Sequence, residues 1–180
     1  MYLKKLAKMD DRKEFLIRRY SYGKILNVGC GELYIPGAVN LDIDPRCKPD
    51  VVADFHHLPF NGSSFDTVFA FDVIEHTDKP EILVNEMKRM SRPSGVIVIE
   101  CDDFDVQHQN WEADFTHKTY FNFKIFKKFL EPKGFSVFSL YRGVLVAVNK
   151  PKKFDKELSL VYAIYKRPLK ILLKFIKKFT

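Results

Sequence analysis

The chain has 180 residues, of which 46% are hydrophobic, 29% are charged and 17 are Phe. It is long enough for one domain with a sizeable core, and its composition excludes a disordered segment, a collagen-like fibre and a disulfide scaffold. The formal charge of +7 is unevenly spread, because residues 1–149 carry 20 basic and 21 acidic side chains while residues 150–180 carry 10 and 2. The pI of about 9.2 therefore describes a tail and not a basic face, which argues against nucleic acid as the partner of the body.

Cys30, Cys47 and Cys101 form no CxxC pair and suit reduced thiols of a cytoplasmic protein. Lys4, Lys5 and Lys8 are followed by the charged residues 10–14 and not by an apolar stretch, so no signal peptide is expected. No run reaches the roughly 18 apolar residues of a membrane span, and the protein is expected not to be integral to a membrane.

In chain order, Leu3, Leu6, Phe15 and Ile17 among many charges predict a helix in residues 2–20, the bulk of a leading segment 1–21. Ile25, Leu26 and Val28 form an apolar run that stops at Gly29-Cys30-Gly31. Residues 39–43 end in acid, residues 51–53 end at Asp54, and residues 65–73 lead into Glu75-His76. Each reads as a buried strand entering a turn. Residues 79–91 place Ile82, Leu83, Glu86, Met87 and Met90 at helical spacing, with Asp78 as the expected cap and Pro80 in the first turn. Pro93-Ser94-Gly95 reads as a turn into a strand over 96–101. Residues 102–118, acidic and aromatic without a period, are expected to loop over one end of the sheet. A helix is predicted over 121–130, closed by Gly134, and residues 135–141 and 144–148 flank Arg142-Gly143 as a hairpin. The alternation predicts an α/β sheet, mostly parallel, with antiparallel strands at one edge.

In such a sheet ligands bind beyond the carboxyl ends of the strands. The glycines of Gly29-Cys30-Gly31 let the backbone turn sharply and approach a ligand, although by themselves they fit a structural turn as well. Asp42, in Leu41-Asp42-Ile43-Asp44, can accept from both hydroxyls of a ribose. It comes too soon after Gly29 for a dinucleotide fold, whose ribose acid lies roughly 20 residues on, and residues 32–38 leave no room for a full crossover helix. Asp54, beside Phe55 and ahead of Leu58-Pro59-Phe60, can accept from an exocyclic adenine amine while the apolar residues sandwich the ring. Asp72-Val73-Ile74-Glu75-His76 adds polar groups to the same rim. Four consecutive strand ends carrying ligand-type groups point to a nucleoside-like ligand.

Over residues 22–149 the sequence resembles the class I S-adenosylmethionine-dependent methyltransferases, and among them the small type-11 methyltransferase domains. The resemblance rests on residues 25–31, 41–44, Asp54 with Leu58-Pro59-Phe60, Ser64-Phe65-Asp66, 72–76, 90–98 and 117–135. It implies a Rossmann-like seven-stranded sheet with its last strand antiparallel, in a domain spanning 22–150, and S-adenosylmethionine over the amino half. It further implies Gly29, Cys30 and Gly31 at the methionine part of the cofactor and Asp42 with Ile43 at the ribose. Asp54 with Phe55 would meet the adenine, and Asp72 with Val73 would lie near the methionyl end. The sequence departs from the family where Asn27 replaces an acid, where Leu33 replaces a third glycine, and where Tyr34-Ile35-Pro36-Gly37 shortens the first crossover.

Methyl transfer from a sulfonium asks the protein mainly for alignment and exclusion of water. A base is needed only for an acceptor that must lose a proton; His76 and His117 are the catalytic candidates, and each fits a capping or hydrogen-bonding role equally well. His56-His57 reads as solvent-facing or as packing near the adenine. The cysteines and histidines show no clustering along the chain that suits zinc or iron, and Glu100, Asp102, Asp103 and Asp105 read as a solvated rim, so no metal is expected. The fourth strand end lacks both the Asn/Asp-Pro-Pro-aromatic and the Pro-Cys motifs of nucleic-acid methylation. A hydroxyl or amine on a small or lipid-linked acceptor remains.

In the tail, residues 151–180, Leu158, Val161, Tyr165, Leu169, Leu172, Phe175, Ile176 and Phe179 alternate with Lys166, Lys170, Lys174, Lys177 and Lys178. This predicts a basic amphipathic helix broken at Pro168. Such a helix can lie on an anionic membrane through residues 155–180, which would make a cytoplasmic protein peripheral at the inner membrane surface. Alternatively its apolar face packs on the sheet or on a second subunit of a homodimer. Two other functions compete with methyl transfer: a non-catalytic methyltransferase-like partner protein that docks through the tail, and a nicotinamide dehydrogenase, disfavoured because GxGxxG is absent.

Overall fold

The computed structural model describes residues 11–101, 116–119, 123–141 and 144–149. The first ten residues of the leading segment, nearly all of the expected 102–118 loop, the start of the 121–130 helix, the Arg142-Gly143 turn and the tail lie outside the described residues.

Helix α1, Asp11–Tyr20, has Asp11 and Glu14 in its first turn and Arg18 and Arg19 in its last, which suits the helix dipole, and it buries Leu16 and Tyr20. Strands β1 (Ile25–Val28), β2 (Val39–Asp42), β3 (Val51–Val52) and β4 (Phe65–Phe71) follow. Helix α2 (Pro80–Met90), β5 (Ser91–Glu100), α3 (Phe123–Leu130), β6 (Phe135–Tyr141) and β7 (Val144–Asn149) complete the order. They build one seven-stranded sheet in the order β3-β2-β1-β4-β5-β7-β6. All pairs from β3 to β5 are parallel. Strand β7 is antiparallel to both β5 and β6, so the reversed strand is inserted between them and does not form the edge.

Side chains alternate across the sheet with the period of two that strands impose. Val68, Ala70, Ile97, Ile99, Leu145 and Ala147 share a core with Leu83, Val84, Met87 and Met90 of α2 and with Leu130 of α3. Phe69, Phe71, Val96, Val98, Val144, Val146 and Val148 pack on the other face with Leu16 and Tyr20 of α1 and with Ile35. Burial on both faces accounts for the unbroken apolar runs of β5 and β7.

Two local expectations need correction. Asp78 does not cap α2: the cap position is Lys79, with no side-chain cap bond, and it is the Thr77 hydroxyl that accepts the Lys79 amide (3.0 Å). Pro93-Ser94-Gly95 is not a separate turn but lies within β5. The ladder jumps from Phe65↔Ser91 to Thr67↔Val96, so residues 92–95 bulge out, with Ser94 at φ +67°.

The short crossover between β1 and β2 contains no helix, and its peptide groups need other partners. Two buried amides supply them. Asn27 Nδ2 donates to Leu33 O (2.8 Å) and to Asn40 Oδ1 (3.1 Å). Asn40 Oδ1 accepts the Ile35 amide (2.8 Å), and Asn40 Nδ2 donates to Ile35 O (3.1 Å) and to Asp50 Oδ2 (2.9 Å). A carboxylate at residue 27 would have no N–H to offer the Leu33 carbonyl. An amide at residue 27 is thus what a crossover without a helix calls for.

Candidate active site at the carboxyl ends of the strands

The sheet order sets the ends of β3, β2, β1 and β4 side by side. After β1, Gly29 and Gly31 have φ of +62° and +48°, a region that other residues enter at a cost. A Cβ on Gly29 would come within 2.5 Å of Val73 Cγ2, whereas one on Gly31 would meet nothing within 4 Å. Gly29 is thus a packing requirement and Gly31 an open cradle. Cys30 between them is buried, and burial, reinforced by the Asp42 charge, pushes its thiol up to about 12, so it offers neither a nucleophile nor a ready thiolate.

Asp42 ties the cradle to β2: Oδ2 accepts the Gly31 amide (2.7 Å) and Oδ1 accepts the Asp44 amide (2.9 Å). Each oxygen keeps a further lone pair. Ile43 beside it is 62% exposed, an apolar side chain open to a ligand. Asp44 is spent locally on Arg46, whose backbone N–H and Nε both donate to it.

After β3, Asp54 Oδ1 accepts the His56 amide (2.8 Å) and lies 2.8 Å from His56 Nδ1. The backbone N–H above all, and then the ring, hold its carboxyl below the ordinary value. His56 is therefore not simply solvent-facing: its Nε2 lies 3.3 Å from Thr77 Oγ1, linking the ends of β3 and β4, while His57 is exposed. The Leu58-Pro59-Phe60 wall is clamped from α2, as Arg89 donates to Leu58 O and Phe60 O (2.9 Å each) and Glu86 accepts the Leu58 amide (3.1 Å). Glu86 and Arg89 were not candidates in the sequence. Their only signal is an acid and a base one turn apart on an amphipathic helix.

Beyond β4, Asp72 has φ +52° and accepts from Lys13 of α1 (2.5 Å), while Arg12 of α1 pairs with the buried Glu100 at the end of β5. Helix α1 is thereby pinned over the ends of β4 and β5. Val73 is buried against Gly29, and Ile74–His76 forms a single 3₁₀ turn. Residues 116–119 return to this turn. The amides of Lys118 and Thr119 donate to Glu75 O (2.8 and 3.1 Å), and Thr116 Oγ1 lies 2.9 Å from His76 Nδ1. The rings of His76 and His117 end with centroids 4.9 Å apart. No clustering of histidines was visible along the chain; the fold creates this pair.

Residues 26–99 match the protein family described as Methyltransferase domain. An uncharacterised protein of Methanocaldococcus jannaschii is 26% identical over 145 residues, which take in 73% of this chain and 57% of that protein. The chain thus spans little more than half the length of that relative. Among solved structures, a candidate methyltransferase of Bacillus halodurans superposes with a TM-score of 0.61 at 20% identity, covering 71% of this chain and 70% of its own. The candidate methyltransferase in a Haloferax volcanii complex with the methyltransferase activator Trm112 does so with 0.63 at 15% identity, covering 79% and 90%.

Over residues 26–99 the chain is thus similar to the Methyltransferase domain family, and its sheet has the fold of these candidate methyltransferases, a fold that implies S-adenosylmethionine as the cofactor. The rim fits that group. Gly31 opens on free space, the carboxylates of Asp42 and Asp54 stand on neighbouring strand ends, and exposed Ile43 and half-buried Phe55 are apolar surfaces beside them. Among the described residues there is no disulfide, and no helix is long and apolar enough to cross a membrane.

Proposed function

We propose that the protein is an S-adenosylmethionine-dependent methyltransferase acting on a hydroxyl or amine of a small or lipid-linked acceptor. The observation that carries this reading is the row of ligand-type groups on the adjacent ends of β1 to β4, opened by the cradle at Gly31. When bound, S-adenosylmethionine supplies a methyl carbon already activated by its sulfonium. Asp42 accepts from the ribose hydroxyls, Asp54 from the adenine amine, and Ile43 and Phe55 flank the ring. Helix α1, pinned by Arg12 and Lys13, lies against the ends of β4 and β5, where Glu100 is buried. His76 and His117, whose rings lie close together beyond β4, are the candidates to take an acceptor proton. The concentration of 10 basic against 2 acidic side chains in residues 150–180 supports a lipid-linked acceptor held at an anionic surface.

Calorimetric titration with S-adenosylmethionine, S-adenosylhomocysteine and, as control, NAD tests the reading; binding of the first two alone is expected. No binding of either to the folded protein would overturn it in favour of a non-catalytic partner protein. Asp54→Ala should weaken S-adenosylhomocysteine binding about 10- to 100-fold, the loss of one hydrogen bond to a charged group. Because the Asp54 carboxyl is held below its ordinary value of 3.8, the charged form persists throughout the neutral range, and the affinity should fall only as the pH drops below that value.

A further inference from the structure

We infer that Glu75, His76 and His117 form a binding site for a divalent transition-metal ion of the zinc type. One ligand atom from each lies within 4.8 Å of the other two. In a closed tetrahedral site with bonds of about 2.1 Å, ligand atoms stand about 3.4 Å apart, so each pair needs to draw in by about 1.4 Å at most, a distance that rotation of both side chains covers. Two imidazoles and a carboxylate suit a borderline ion, in contrast to the all-oxygen sets that calcium and magnesium prefer.

The surroundings hold these ligands in place. Glu75 is 2% exposed, so its carboxylate is fixed within the fold and does not swing through solvent. His76 Nδ1 faces Thr116 Oγ1 at 2.9 Å and Thr116 O at 3.4 Å, and the carbonyl can only accept. A proton on Nδ1 satisfies it and leaves the Nε2 lone pair for the ion, the arrangement in which an outer partner fixes a ligating imidazole. His117 is delivered by a segment that is itself tied down, through the Lys118 and Thr119 amides on Glu75 O and the Thr119 hydroxyl on Thr77 O (2.5 Å). The three ligands therefore come from two strands of chain far apart in sequence that hydrogen bonds lock together at this point.

The site follows directly on Asp72 and Val73, beyond the end of β4. Resting on the methyltransferase reading, this puts the ion on the acceptor side of the cofactor. Three protein ligands leave coordination positions open, and an open position at such an ion would take an acceptor oxygen and lower the pKa of its hydroxyl, so that its proton leaves to solvent while His76 and His117 hold the ion and do not themselves act as bases. The acceptor class narrows accordingly to one that presents a hydroxyl.

The test uses the tag-free full chain, stripped of metal with a chelator and titrated with Zn²⁺ by calorimetry and with Co²⁺ by visible absorption. One equivalent should bind, with Co²⁺ ligand-field bands of a low-coordinate site. His117→Ala, a half-buried position whose loss leaves the core intact, should weaken binding at least about 100-fold and remove the bands, as should Glu75→Gln where circular dichroism shows it folded. His57→Ala should change nothing. Absence of binding, or Zn²⁺ affinity unaltered in His117→Ala, overturns the site. S-adenosylhomocysteine titrated into the same metal-free samples separates the two conclusions: if it binds while Zn²⁺ does not, the metal site fails and the methyl-transfer reading stands.

Discussion

The two halves of the rim are held by different kinds of contact. Around the ends of β1, β2 and β3 most polar side chains bond to near neighbours in sequence, Asp54 to His56, Asp42 to Asp44 and Gly31, Asn27 to Leu33 and Asn40, with His56 reaching Thr77 and α2 clamping residues 58–60 from further away. Around the end of β4 they bond across long stretches, Asp72 to Lys13 and His76 to Thr116. The half proposed for the cofactor is thus assembled mainly by strand and turn, whereas the half proposed for the acceptor is completed by docking of distant segments. A ligand shared by a whole family is served by the first kind of construction. An acceptor that differs between members is served by the second, where a change in one segment re-lines the site without disturbing the sheet.

Substitutions should separate the halves by size of effect. Asn40→Ala, at a fully buried position, strips partners from the Ile35 peptide and from Asp50 and should cost about 4 kcal/mol, read as a drop in the urea midpoint together with loss of S-adenosylhomocysteine binding. If stability falls and binding by the folded fraction does not, the crossover is scaffold only. Gly29→Ala adds a clash with Val73 to an unfavourable φ and should cost about 3 kcal/mol, while Gly31→Ala, with open space around its new methyl, should cost about 1 kcal/mol. The order should reverse for cofactor affinity per folded molecule, since only at Gly31 does the methyl enter the cradle; equal effects would erase the distinction between the two glycines. Lys13→Ala removes a pair whose acid is 47% exposed and should shift stability by about 0.5 kcal/mol, with the cofactor affinity unchanged. A large loss of cofactor affinity there would show that the halves are coupled.

The same division governs what could be read from the sequence. Glycine turns and the strand-end acids at Asp42 and Asp54 are local patterns, and each sits at the end of the strand expected for it. The short crossover was legible as a length too small for a helix, but the amides that replace the helix were not, because nothing in the residue type of Asn27 or Asn40 distinguishes a buried amide from a surface one. The expected cap at Asp78 failed because the helix begins one residue later, with Lys79 at the cap position and its amide held by the Thr77 hydroxyl. The approach of His117 to Glu75 and His76 left no trace in spacing, since 40 residues and a docking event separate His76 from Thr116. In the sequence Glu86 reads only as one of the residues at helical spacing and Arg89 not at all, because only the path of residues 58–60 over α2 gives them work.

The placement of β7 between β5 and β6 has a consequence for the order of synthesis. A nascent chain that has emerged as far as Tyr141 possesses every parallel strand, yet β6 has no neighbour to join, because its place in the sheet is reached only through β7. Until Asn149 leaves the ribosome, β5 presents Val96, Ile97, Val98 and Ile99 along a bare edge, the kind of surface that recruits other unfinished chains. Among the described strands the last to be made is the one that closes the sheet, and a pause in translation just before it would leave that edge bare for longest.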